Sequence, residues 1–75
     1  MTRLPRGISG ERAVRAFGRA GFVVDHQTGS HVVLLHRSDP RKRLVVPQHR
    51  TLRPGLLSRL IKDAGLTIEQ FNSLL

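Results

Sequence analysis

Three short apolar runs, each separated from the next by a few turn-forming residues, most constrain this chain. They are Phe22-Val23-Val24-Asp25-His26, His31-Val32-Val33-Leu34-Leu35-His36-Arg37 and Arg43-Leu44-Val45-Val46-Pro47. All are rich in β-branched residues, which favours strands. Between them lie Gln27-Thr28-Gly29-Ser30 and a turn beginning Ser38-Asp39-Pro40-Arg41. A parallel pair needs a crossover of a dozen residues or more, so connections this short allow only antiparallel pairing. The runs therefore predict a three-stranded antiparallel meander, with Gly29 at a turn position needing positive φ and Pro47 ending the third strand.

Helical patterns flank the meander. Ser9 is placed to N-cap a helix over about 10–20, with Glu11 at its positive end and Gly21 as its terminating glycine. Ala13, Val14, Phe17 and Ala20 share its apolar side, while Arg12, Arg15 and Arg19 form a basic outer face. Gly18, unfavourable inside a helix, suggests close packing there. After a loop over Gln48–Arg53, Pro54 opens a second helix at its first position. Leu57, Leu60, Ile61 and Ala64 make the apolar stripe, and Gly65 ends it. Thr67 and Gln70 have capping-box spacing for a short last helix packed through Ile68, Phe71 and Leu74 or Leu75. The order α-β-β-β-α plus a terminal helix predicts an α+β fold with helices on one face of the sheet and the other face open. Its length predicts one domain over 1–75.

The chain has no cysteine, which excludes disulfides, cysteine zinc sites and thiol nucleophiles. Thirteen Lys and Arg, eleven of them Arg, against five acidic residues leave a net charge of +8. Such a field attracts polyanions, and the guanidinium fork suits phosphate. With three Phe and neither Trp nor Tyr, a stacking platform for single-stranded bases is not expected. No apolar run approaches the roughly 18 residues of a membrane span, and the basic N-terminus lacks a signal-peptide core, so a cytoplasmic protein without membrane association is expected.

Four histidines are the groups whose ordinary pKa lies near neutrality. Neither they nor the dispersed carboxylates have metal-site spacing, so no metal or other cofactor is expected. His31 follows Gly29-Ser30 at the start of a strand, where a histidine can act as general base on a ribose 2′-hydroxyl. Five positions separate His36 from it, which places the two on opposite faces and makes His36 a surface or core-rim residue. His26 and His49 are candidates to assist, with Ser30 beside the site and Gly29 shaping the turn. Arg12, Arg15, Arg37, Arg41, Lys42, Arg43, Arg50 and Arg53 are candidate RNA contacts, placed by charge around that turn.

The ordered set Ser9-Gly10-Glu11, Gly21-Phe22, Gln27-x-Gly29-Ser30-His31, Val46-Pro47-x-His49, Leu52-x-Pro54-Gly55 and Ala64-Gly65-Leu66 resembles the HicA toxins, or YcfA-like proteins, over roughly 9–71. The resemblance implies a double-stranded-RNA-binding-domain-like fold. It implies a type II toxin that cleaves mRNA as an endoribonuclease, with the family's catalytic histidine at His31. It also implies a HicB antitoxin partner that covers the histidine face and binds operator DNA only as the joint complex. Two positions depart from the pattern: Arg12 stands where Lys is common, and His26 where Arg is common. The competing readings are a non-catalytic RNA-binding module on the same fold and an interaction domain for an acidic protein.

Overall fold

The computed structural model describes residues 2–75. The order is α1 (Gly10–Arg19), β1 (Phe22–Thr28), β2 (His31–His36), β3 (Arg43–Pro47), α2 (Pro54–Asp63) and α3 (Ile68–Leu74). The strands form one antiparallel sheet in the order β1-β2-β3. The expected α-β-β-β-α arrangement, with the helices packed on one sheet face, is what the chain adopts.

The local reasons match the residues. Ser9 Oγ accepts from the Arg12 N–H at 3.0 Å, capping α1. Gly21 ends it at φ +97°, and Gly65 closes α2 at φ +78°. Pro54 sits in the first turn of α2. Both halves of the Thr67–Gln70 capping box are made, at 2.8 and 3.0 Å. Phe17 and Phe71, both fully buried, meet with centroids 5.1 Å apart, joining α1 to α3 at the centre of the core. Val32, Leu34, Leu44 and Val46 supply the floor from the sheet, and Leu57, Leu60 and Ile61 the covering from α2.

Two expectations change. The first strand runs to Thr28 and not His26, so the first turn shrinks to Gly29-Ser30, with Thr28 facing His31. Gly29 has φ +56° and Ser30 does not have positive φ, the sign pattern of a type II′ hairpin. The second change concerns the glycines of α1. Gly18 is exposed, and a Cβ there would meet nothing within 4 Å. The close approach is at Gly10 instead, where a Cβ would lie 2.1 Å from the Pro47 carbonyl oxygen and 2.9 Å from the Gln48 Cα. Both neighbours are backbone and cannot swing aside.

Gly10 belongs to a seam of backbone hydrogen bonds. Gln48 N–H donates to Ser30 O (2.6 Å), Gly10 N–H to His49 O (3.0 Å) and Leu52 N–H to Ile8 O (2.8 Å). The seam ties the first hairpin turn, the segment after β3 and the start of α1 together. The two glycines therefore predict opposite outcomes in chemical denaturation. Gly10→Ala should destabilise the fold by about 1–3 kcal/mol or more through overpacking. Gly18→Ala should stabilise it by roughly 0.5–1 kcal/mol, the helix-propensity difference.

Candidate active site

Residues directly opposite one another across a sheet share a face, so the pairing register assigns each side chain. Phe22, Val32, Leu34, Leu44 and Val46 lie on the helix-covered face. His31 lies on the other face, in a row with Thr28 and Pro47. The next row is His26-Val33-Val45, and the third is Val23-Leu35-Arg43. Val33, in the middle of this face, is only 5% exposed, whereas Val23 and Val45 at its margins are 42% and 40% exposed. His31 thus stands at the open end of an apolar strip that the helices leave uncovered.

His26 reaches this face through a β-bulge. The register passes from Val24↔Leu34 to His26↔Val33, leaving Asp25 unpaired. Without the extra residue His26 would face Val32 and point to the helix side. With it, His26 becomes the diagonal neighbour of His31, a relation in which Cα atoms lie roughly 7–8 Å apart. Its Nδ1 donates to Asp25 Oδ2 at 2.6 Å, with both side chains about half exposed. A carboxylate only accepts, so Nδ1 carries the hydrogen and Nε2 is directed away from the pair.

The remaining histidines are placed differently. His36 packs edge-on against Phe22 with centroids 4.9 Å apart. Its Nδ1 accepts from Ser38 N–H, so its Nε2 carries the hydrogen donated to Ala20 O, both at 3.1 Å. That is a structural role at the α1 C-terminus, opposite in face to His31 as the spacing predicted. His49 lies in the seam segment, and with Ser9, Glu11, Gln48 and Arg50 it lines a pocket at the start of α1. His49 comes two residues after Pro47, the partner of His31, and next to Gln48, whose N–H donates to Ser30 O, so it too lies at the His31 end, beyond the last paired residue of β3. Ser30 sits in the turn and contributes its carbonyl to the seam.

The basic residues do not ring the turn as expected. Five residue steps at ~3.3 Å put His36, and the second hairpin beyond it, about 16 Å from His31. Arg37, Arg41 and Lys42 belong to that far end. Arg41 is engaged by Asp39 at 3.2 Å, and the Lys42 Nζ lies 3.0 Å from where a Cβ on Gly65 would sit. Arg43 is on the open face, in its third row. Arg15 is paired with Glu11 at 2.6 Å, and Arg19 donates to Leu74 O at 2.7 Å. At the His31 end are Arg12 in the first turn of α1, Arg50 in the seam segment and Arg53 at the N-cap of α2. Both α1 and α2 begin at that end, so both positive helix termini add to its field.

Asp25 escaped sequence reasoning. The sign it left is an acidic residue inside a run of strand formers, where Asp is disfavoured unless the ladder is interrupted. Among the described residues no three His, Asp or Glu side chains gather in a metal-binding group. No helix among the described residues is long and apolar enough to cross a membrane.

The chain matches the protein-family model described as "HicA toxin of bacterial toxin-antitoxin" over residues 10–66, from the first residue of α1 to just past α2. No curated protein matches it.

Gly29 is open to solvent, and only its φ argues for glycine. Gly29→Ala should therefore cost about 1–2 kcal/mol of left-handed strain, measured by denaturation, and Gly29→Asn less, since Asn tolerates that region better.

Proposed function

The chain belongs to the HicA toxin family, and from that premise we propose that residues 1–75 form one toxin domain that cleaves mRNA as a metal-independent endoribonuclease. His31 is the general base. It removes the proton from a ribose 2′-hydroxyl, and the 2′-oxygen attacks the adjacent phosphorus. The bond from phosphorus to the 5′-oxygen breaks, and that oxygen takes up a proton. The products are a 2′,3′-cyclic phosphate and a 5′-hydroxyl, with no water or metal consumed in the step.

The observation that carries this reading is the exposed His31, set just after a two-residue turn on the uncovered sheet face. An exposed imidazole there can approach an RNA backbone without rearrangement of the core. Arg12, Arg50 and Arg53, with the positive ends of α1 and α2, favour the phosphate and the charge that builds on it during attack. The far-end Arg37, Arg41 and Lys42, with Arg43 on the face and Arg15 on α1, extend the surface available to the flanking backbone.

The same face suits a HicB-like antitoxin. A partner that covers Val23, Val45 and His31 would bury apolar surface and block the base in one step, and acidic side chains would complement the charge. DNA binding enters only through that joint complex.

Cleavage of a defined RNA in EDTA tests the reading. Wild type should generate 2′,3′-cyclic phosphate ends, and His31→Ala should be slower by about 10²–10⁴-fold, the usual worth of a general base. No cleavage by wild type without added metal, or full cleavage by His31→Ala, would overturn it. RNA retention without cleavage by either protein would favour the binding-module reading.

A further inference from the structure

We infer that His26, oriented by Asp25, is the general acid that protonates the leaving 5′-oxygen. The inference rests on the proposed cleavage reaction and adds to it a residue that supplies the second proton.

Two observations, the register of β1 against β2 and the bond to Asp25, converge on His26. The bulge at Asp25 moves its side chain from the helix-covered face to the face of His31. The register makes it the diagonal neighbour of His31, at a separation that long side chains bridge. The bond from Nδ1 to Asp25 Oδ2 fixes the ring so that Nε2 is the atom available for proton transfer. Neither of the other histidines combines these. Both ring nitrogens of His36 are committed to backbone groups on the opposite face, and His49 lies beyond the paired strands with no carboxylate orienting its ring among the described residues.

In-line displacement at phosphorus places the attacking 2′-oxygen and the departing 5′-oxygen on opposite sides of the phosphate. A base and an acid on neighbouring rows of one flat face can flank a phosphodiester lying between them. His31 takes the proton from the 2′-hydroxyl as the new P–O bond forms. Protonated His26 gives its Nε2 proton to the 5′-oxygen as the old bond breaks. One proton is taken and one given, so charge and atoms balance, and solvent resets both rings. Asp25 touches no reacting atom; it is a positioning residue that holds the His26 ring and offsets the positive charge on it.

A substrate with sulfur in place of the bridging 5′-oxygen provides the test, because a thiolate leaves without protonation. Against an all-oxygen RNA, His26→Ala should be slower by roughly 10²-fold or more. Against the sulfur-bridged RNA it should lose no more than a few-fold, while His31→Ala stays slow on both. Asp25→Ala should slow the oxygen substrate selectively. Asp25→Asn, which can still accept from Nδ1, should recover part of that loss. His26→Gln provides a second variant with unchanged hairpin polarity, and circular dichroism confirms folding of each. Equal loss by His26→Ala and His26→Gln on both substrates, or no loss on either, would overturn the assignment. Wild type inert towards both substrates would instead sink the underlying cleavage reaction.

Discussion

The seam between the first hairpin turn, the segment after β3 and the start of α1 is the constraint on which the remaining geometry depends. Its hydrogen bonds are all between backbone groups, so they survive only while the chains stay in contact. Contact in turn requires that position 10 carry no Cβ. With the seam closed, the Ser30 carbonyl is pinned, the turn cannot flap, and His31 starts its strand from a fixed point. The seam also anchors the beginning of α1 and sets the direction in which α2 departs. The two helices consequently both begin at the His31 end, the segments before them joined by the bond from Leu52 N–H to Ile8 O.

The core makes this arrangement worth holding. Phe17 and Phe71 lock α1 to α3, while Leu57, Leu60 and Ile61 press α2 against the sheet. Only one face of the sheet is used. The other keeps a buried centre at Val33 and exposed flanks, a surface that a bound polymer or protein can cover with little rearrangement.

Much of the fold was legible in residues whose chemistry acts locally. Ser9, Pro54, the Thr67–Gln70 pair, Gly21 and Gly65 each mark a helix end by a mechanism confined to a few neighbours, and each mark held. What stayed hidden depends on counting across the sheet. The run Phe22–Thr28 has no clean alternation of apolar and polar residues, so neither its true length nor the extra residue at Asp25 could be read from period alone. That one residue decides which face His26 occupies. The distribution of basic residues was hidden for a similar reason: Arg37 and Arg41 are close to His31 in sequence, but the full length of β2 separates them in space. Gly18 misled because glycine inside a helix usually reports a close neighbour, whereas here it reports none. His36 was legible as to face but not as to role, since its partners, Ala20 and Ser38, are set by the packing of α1 against the second hairpin.

The bulge at Asp25 has another consequence, for how the chain behaves among its own copies. β1 is an edge strand, paired on one side only. An uninterrupted edge of this length would offer a neighbouring molecule a ready template for sheet extension. The bulge divides it into Phe22–Val24 and His26–Thr28, three residues on either side, whose hydrogen-bonding groups no longer follow one straight ladder. Positively charged copies already repel one another, and on the β1 side of the sheet this broken edge adds a second obstacle to their joining once that repulsion is screened.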